Sequence, residues 1–165
     1  MDLIAALKKE FDTETQITRK FLKLVPEEKY HWAPHTKSMS LKQLSGHIAE
    51  LPYWVNMAVH SDGLDFAKNE YQPPAIENSD DLLSLFEKSV KDGKNALNTV
   101  ESEQFTESWQ LKNGDQVLWD GTTYEMIRHA LAQQIHHRAQ LGVYLRLLDI
   151  PIPGSYGPSA DDQSF

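Results

Sequence analysis

The stretch Gln133-Gln134-Ile135-His136-His137-Arg138-Ala139-Gln140 lies in a run from Thr123 to Leu148 whose apolar residues recur at helical spacing. It contains two of the seven histidines, and His129 lies one turn upstream. A helix here places polar groups that can bind a metal in an otherwise apolar seam. The function of the chain therefore depends on whether these groups meet a partner from another segment.

The composition restricts the classes of function. The chain has 165 residues, which predicts one domain over residues 1–165. Its 16 basic and 24 acidic residues give a net charge of −8, which argues against nucleic acid and anionic membranes as partners. No apolar run reaches ~18 residues, so we expect no membrane span. The absence of cysteine excludes disulfides, thiolate ligands and a cysteine nucleophile, and fits a cytoplasmic protein.

Two amphipathic helices are predicted in the first part of the chain. The first runs from Leu3 to Val25, because Pro26 disfavours helical geometry in the residue before it. The second begins at Ser40, since Ser40-Leu41-Lys42-Gln43 matches a capping box, and it closes at His60-Ser61-Asp62-Gly63. Pro52 lies inside the second helix and is expected to kink it.

The second half predicts two more helices and one extended excursion. Ser79-Asp80-Asp81 opens the third helix, which runs to about Val100 and tolerates Gly93 as a mild weak point. Thr122-Thr123-Tyr124-Glu125 is a second capping box and opens the fourth helix, which ends before Ile150. Between Glu103 and Gly121, the pair Asn113-Gly114 indicates a short β-hairpin or extended excursion.

Four amphipathic segments with long connectors predict an all-α fold, a four-helix bundle. The connector from about Leu64 to Asn78 contains Pro73-Pro74 and is not expected to be helical. The tail from Ser155 to Asp162 is polar and rich in turn residues. The helix pattern leaves the order and direction of the helices open.

The candidate site combines one residue of the second helix with two of the fourth. Gln133 and His137 are one turn apart on an arc about 100° wide, and His47 lies on the apolar stripe of the second helix. Polar side chains on such a stripe must be hydrogen-bonded, bound to a ligand or facing a cavity. Three ligands to a divalent metal would leave a position for water or substrate.

The alternative is that these side chains are hydrogen-bonded residues of the core without a ligand. Several other polar and aromatic residues also have structural interpretations. Arg138 is expected to form a salt bridge or a hydrogen bond to an adjacent loop. Asp80-Asp81 and Asp161-Asp162 are interpreted as helix-start and solvated charges. Surface positions are expected for His31, His35 and His60, and core or hairpin packing for Trp32, Trp54, Trp109 and Trp119, with the alternative that one or two tryptophans line a ligand pocket.

Four segments together resemble the DinB/YfiT-like superfamily. They are Trp32-Ala33-Pro34-His35, the segment from Ser38 to Leu51 that contains His47, the run His136-His137-Arg138-Ala139-Gln140-Leu141, and Tyr156-Gly157-Pro158-Ser159-Ala160-Asp161. They extend over nearly the whole chain in the family's order. The resemblance implies an up-down-down-up four-helix bundle that forms a homodimer.

The resemblance also implies a divalent metal, zinc or nickel, held by three histidines. His47 and His137 match two of these ligands, and Gln133 stands where the third histidine is expected. A glutamine oxygen binds hard cations but substitutes poorly for imidazole toward zinc or nickel. By analogy, the chain is a thiol-dependent S-transferase or a related detoxification enzyme with a low-molecular-weight thiol cosubstrate. The alternative is a non-catalytic bundle whose degenerate metal pocket binds a small ligand or supports dimerisation. The catalytic residues are not indicated.

Overall fold

A computed structural model describes residues 2–68, 72 and 74–163 of the chain. Four helices dominate it: α1 (Leu3–Leu22), α2 (Leu41–His60), α3 (Ser79–Thr99) and α4 (Thr123–Leu147). Helices α1 and α2 each pack against both α3 and α4, so α1 and α2 occupy diagonal corners of the bundle. The predicted four-helix fold is confirmed. None of the helices formed by the described residues is both long and apolar enough to span a membrane.

Local hydrogen bonds determine where the helices start. The Ser40 side chain accepts a bond from the Gln43 backbone nitrogen, and the Gln43 side chain accepts one from the Ser40 backbone nitrogen. Thr122 and Glu125 form the same reciprocal pair at the start of α4. Both predicted capping boxes are therefore present. Helix α1 ends at Leu22, three residues earlier than expected, and α2 runs as one helix through Pro52.

A small sheet precedes α4. The predicted hairpin forms from β2 (Ser108–Asn113) and β3 (Gln116–Thr122), which pair antiparallel. A further strand, β1 (Gly63–Asp65), pairs parallel to β2, with Leu64 opposite Leu111. The sequence did not predict this strand, because a three-residue segment carries no detectable alternation and its partner lies far along the chain. Residues 69–71 and 73 of the predicted connector lie outside the described residues.

The core fills the space between the helices and extends under the sheet. Trp109 on β2 is fully buried and Trp119 on β3 packs beside it, with ring centres 6.1 Å apart. The predicted hairpin thus contributes a buried side chain to the core. Trp32 and Trp54 are partly buried against the same core, as expected for structural aromatic residues.

Gly93 marks the closest approach of α3 to its neighbours. A Cβ atom at this position would lie 2.5 Å from the Pro52 carbonyl oxygen and 2.7 Å from Cζ of Phe11. Any side chain would therefore collide with a backbone atom of α2 and a ring of α1. The interpretation of Gly93 as a mild weak point was wrong, because the position requires a residue without a side chain.

Candidate metal centre

The packing of α4 against α2 brings two of the three predicted ligands together. The rings of His47 and His137 lie 4.7 Å apart, centre to centre, and are nearly perpendicular, with an interplanar angle of 77°. Their sequence positions differ by 90 residues, so only the bundle creates the pair. Trp54 lies edge-to-face with His47 on the other side, at 6.5 Å. His136 contacts His137 at 4.9 Å but is itself exposed.

Both imidazoles of the pair are neutral at physiological pH. Burial, reinforced by the neighbouring His137, lowers the pKa of His47 from 6.5 to about 4. Burial also lowers the pKa of His137, although its hydrogen bond to Gln140 acts in the opposite direction. Because only the unprotonated ring nitrogen binds a metal, these environments keep lone pairs available at neutral pH.

Gln140 determines which nitrogen of His137 is available. Nδ1 of His137 lies 2.7 Å from Oε1 of Gln140. An amide oxygen only accepts hydrogen bonds, so Nδ1 carries the proton and donates it, and Nε2 of the neutral ring keeps its lone pair. Histidines that bind a metal through one ring nitrogen commonly donate a hydrogen bond from the other, which fixes the orientation of the ring.

Gln133 lies on the same helix as His137, one turn earlier, and its side chain is half-buried. Its amide nitrogen lies 3.5 Å from Nε2 of His129. The His129 ring in turn packs against Trp119 at 5.8 Å. The contact with His129 involves the amide nitrogen of Gln133 and leaves the amide oxygen out of this contact.

Two imidazoles and one amide oxygen, from His47, His137 and Gln133, are chemically suited to a divalent metal. They bind it less strongly than three histidines would. Two imidazoles on one tetrahedral metal, with metal–nitrogen distances of ~2.0–2.1 Å, have ring centres about 5 Å apart, close to the 4.7 Å observed here. Across the described ranges, however, no group of three histidine or acidic side chains is placed to hold a metal. A third protein ligand would have to be a different kind of group, and the Gln133 amide oxygen is the one that the sequence predicts.

An apolar hollow lies next to His47. It has a volume of about 420 Å³, and Met39, Gly46, Trp54, Phe66, Pro74 and Ile76 line most of its surface, with Lys42 and Gln43 at the rim. Trp54 and Phe66 also line a second hollow of about 480 Å³ between α2 and α3, which Glu50, Lys88, Ser89 and Asp92 make more polar. The alternative interpretation of a tryptophan as a pocket residue applies to Trp54.

The polar centre of the buried face of α4 differs from the predicted one. Gln134 and Arg138 are almost fully buried, whereas Gln133 and His137 are only half-buried and Gln140 is exposed. The predicted arc was therefore displaced by about one residue. Helix α4 packs against both α1 and α2, and a second packing partner widens the buried face beyond the arc that a single apolar stripe indicates.

Arg138 takes part in a buried polar cluster with α1 and the C-terminal segment. Its Nη1 atom lies 2.7 Å from Oε2 of Glu14 and donates to Oγ1 of Thr18 at 3.1 Å, and Nη2 donates to the Tyr156 hydroxyl at 2.8 Å. That hydroxyl donates to Glu14 at 2.8 Å, and Gln134 donates to Thr18 at 2.9 Å. Both expectations for Arg138 are confirmed, but the sequence did not indicate Glu14 as a buried acid.

The C-terminal segment, residues 150–162, is held by further polar contacts. Asp161 pairs with Arg146 and accepts a hydrogen bond from the Ile152 backbone nitrogen at 3.0 Å. Ser159 donates to the Ile152 carbonyl at 2.6 Å. Asp161 is exposed, as the interpretation of a solvated charge predicts, and its carboxylate also holds the segment against α4. His31, His35 and His60 are exposed, as expected.

The chain is thus a four-helix bundle with a partly buried pair of histidines between its second and fourth helices. The DinB family model matches residues 4–163, and the chain belongs to the DinB family. A comparison with curated proteins found no match.

Several solved structures share the fold of this chain. A DinB-like protein from Bacillus subtilis superposes with a TM-score of 0.71 at 19% identity, covering 91% of this chain and 97% of the other. A DinB-like protein from Bacillus cereus gives 0.71 at 17% identity, covering 92% and 97%. A mycothiol-dependent maleylpyruvate isomerase gives 0.60 at 16% identity, covering 84% of this chain and 60% of the isomerase chain. Identities this low show the shared fold alone.

Proposed function

We propose that His47, His137 and Gln133 hold a divalent metal ion, zinc or nickel, and that the chain is a thiol-dependent S-transferase or a related detoxification enzyme. The observation that carries the proposal is the pair of neutral, partly desolvated imidazoles 4.7 Å apart on different helices. The similarity of fold to a mycothiol-dependent isomerase supports a thiol as the cosubstrate. The thiol must come from the cosubstrate, because the chain has no cysteine.

The chain's own residues would have distinct roles in this reaction. The metal would supply Lewis acidity that favours the thiolate form of the cosubstrate. His47 and His137 would bind the metal through unprotonated nitrogens. Gln140 would hold the proton of His137 on Nδ1, so that Nε2 stays free to bind the metal. The apolar hollow beside His47 would exclude water and receive the electrophile. The thiol would lose its proton to solvent, and its sulfur would form a C–S bond to the electrophile. In a substitution the leaving group would depart with the electron pair of its bond, and in an addition the resulting carbanion would take a proton from solvent.

The proposal includes a cytoplasmic homodimer. The acidic, cysteine-free composition supports the cytoplasm, and Val143 and Leu147 on α4, both more than half exposed, provide apolar surface for a second copy. Size-exclusion chromatography with light scattering tests the dimer directly. A molar mass of one chain at micromolar concentration would contradict it.

Metal analysis of protein purified without chelators or affinity tags is the first experiment. About one zinc or nickel atom per chain is expected, with strong loss in His137→Ala and little change in His136→Ala, the matched neighbour. Metal far below one atom per chain, unchanged by His137→Ala after incubation with zinc or nickel, would reject the metal site. A panel of thiols with a chromogenic electrophile then tests turnover, which should disappear with chelator and with His47→Ala.

A second candidate function is a non-catalytic bundle with a degenerate pocket. It is favoured by the contact between the Gln133 amide nitrogen and His129. It is also favoured because no third histidine or acidic side chain among the described residues is placed to complete a metal site with the pair. Such a protein would bind a small ligand or serve as a dimerisation module. Metal-independent ligand binding together with no turnover for any thiol would support this alternative over the transferase.

A further inference from the structure

The hollow beside His47 combines an apolar wall with one charged residue. Trp54, Phe66 and Ile76 form much of the wall, and the volume of about 420 Å³ is in the range of small-molecule pockets. Aromatic faces and a branched hydrocarbon chain offer dispersion contacts, so the wall favours a ring over a polar group. Because His47 is neutral, Lys42 is the one formally charged side chain among the described residues of the wall.

Lys42 has no acidic partner in the part of the chain that the structure describes. It is half-buried, and none of the ion pairs formed by the described residues includes it. One turn further along α2, where a partner on the same helix would lie, the residues are Ser45 and Gly46. In a chain with 24 acidic and 16 basic residues, this ammonium group is thus available to a ligand.

The position of Lys42 in α2 adds to the positive potential. Lys42 is the second residue of the helix, whose first turn contains no acidic residue, and the helix dipole is positive at this end. The backbone nitrogen of Lys42 already donates to the Tyr30 carbonyl at 3.0 Å, and that of Leu41 to the Trp32 carbonyl at 2.8 Å. An anion here would therefore be bound by side chains. The Lys42 ammonium is one donor, and the amide nitrogen of Gln43, whose oxygen serves the helix cap, is the other.

We propose that this hollow binds a molecule with a ring-sized apolar group and a carboxylate, the ring against Trp54 and Phe66 and the carboxylate at Lys42. The assignment rests on the proposed function in one respect, because it makes this molecule the electrophilic acceptor of the thiol. His47 lines the same hollow, so an acceptor bound there lies beside a residue that would hold the metal. Lys42 determines the preference for an acid, and the aromatic wall determines the preference for a ring.

The binding step can be tested without any reaction. The probe is 4-phenylbutyrate, which has neither a leaving group nor an activated double bond. Its neutral and cationic counterparts are 4-phenylbutan-1-ol and 4-phenylbutylamine. Isothermal titration calorimetry of the full chain should show saturable binding of the carboxylate, with a Kd on the order of 0.1–1 mM for a ligand of this size. The alcohol should bind about 2- to 5-fold more weakly, as expected for a partly screened charge, and the amine no better than the alcohol. Butyrate, which lacks the ring, should bind at least about 10-fold more weakly than phenylbutyrate.

Three variants test the role of Lys42. Lys42→Gln removes the charge and should make the affinities for the carboxylate and the alcohol equal. Lys42→Arg keeps the charge and should keep the preference for the carboxylate. Lys20→Gln, an exposed substitution on α1 outside the hollow, changes the net charge equally and is the matched control, which should also keep the preference. Circular dichroism identifies a variant that fails to fold, and the comparison of the four ligands on the wild type then decides.

A carboxylate can also bind a metal directly, so each titration is repeated after chelation. The preference for the carboxylate should persist, because Lys42 supplies it. A preference that disappears with the metal, or that is the same in Lys42→Gln as in Lys20→Gln, would overturn the assignment.

The outcomes separate this assignment from the proposed function. No saturable binding of phenylbutyrate, or equal affinity for the carboxylate and the alcohol in the wild type, would overturn the assignment even if thiol transfer were observed. Acid-selective binding that persists after chelation, without any thiol turnover, would support the assignment and contradict only the transferase proposal.

Discussion

Substitution of Arg138 by methionine should destabilise the protein more than any surface change. The side chains of Arg138 and Glu14 are 3% and 6% exposed, and their ion pair has a separation of 2.7 Å. Methionine fills a similar volume but leaves the Glu14 carboxylate buried, with the Tyr156 hydroxyl as its one remaining side-chain donor among the described residues. Removing one member of a buried ion pair costs about 3–5 kcal/mol. For a chain of this length that corresponds to a fall in Tm of about 6–20 °C.

A double-mutant cycle distinguishes the charge effect from lost packing. The variants are Arg138→Met, Glu14→Leu and the double substitution, each measured by urea denaturation monitored through far-UV circular dichroism. The double variant should be more stable than the sum of the two single losses predicts, by about 1–3 kcal/mol, because it leaves no unpaired buried charge. Additive losses, or a loss below about 1 kcal/mol for Arg138→Met, would refute the assignment of a buried, interacting pair.

Tyr156→Phe provides an internal control for the same cluster. The substitution keeps the exposed ring but removes the hydroxyl that bridges Arg138 and Glu14. The free energy of unfolding should fall by about 1–2 kcal/mol, less than for Arg138→Met, because the ion pair itself persists. Limited proteolysis should release residues near the C-terminus faster in this variant than in the wild type. Unchanged cleavage would show that the hydroxyl does not hold the segment.

Three further predictions concern the metal centre and the helix start. Gln133→His should tighten zinc binding by at least about 10-fold in competition with a chromogenic chelator, because imidazole replaces a weak amide ligand; unchanged affinity would exclude position 133 as a ligand. In chelated protein the lowered pKa of His47 means that the unfolded chain binds more protons between about pH 4 and 6.5, so stability is complete above that range and falls as the pH drops through it. The full pKa difference corresponds to about 3 kcal/mol in the free energy of unfolding, and solvent around the part-exposed ring reduces this to about 1–2 kcal/mol. In urea titrations between pH 7 and pH 4, the variant His47→Gln should not show this loss of stability. Ser40→Ala should lower the free energy of unfolding by about 1 kcal/mol, whereas Ser38→Ala, outside the cap, should leave it unchanged.

Interactions between residues close in sequence could be predicted, and those between distant segments could not. The Ser40–Gln43 and Thr122–Glu125 caps depend on residues three positions apart, so the motif alone places both helix starts. Strand β1 depends on β2, which follows it by more than 40 residues, and nothing within Gly63–Asp65 indicates that pairing. Nothing in the sequence around Glu14 indicates its burial, because its partner Arg138 lies on another helix.

The candidate site shows the same division. Helical spacing related Gln133 to His137, and the place of His47 on the apolar stripe of the second helix made it their candidate partner, which the family resemblance also implied. The position of the His47 and His137 rings next to each other depends on the packing of α2 against α4. The hollow beside His47 was not predicted, because Gly46, Trp54 and Ile76 line a common space only once Ile76 packs near α2.

The close contact at Gly93 restricts the position of α2, the helix that contains His47, relative to α3. Because the Pro52 carbonyl faces Gly93 directly, α2 meets α3 through a backbone contact that does not depend on a rotamer. Side chains elsewhere in the core can change conformation after a substitution, but α2 cannot slide along α3 without moving this contact. His47, five residues before Pro52, therefore has an axial position that is insensitive to repacking of the core. Directed evolution of the pocket can vary the lining of the hollow extensively before it displaces the histidine.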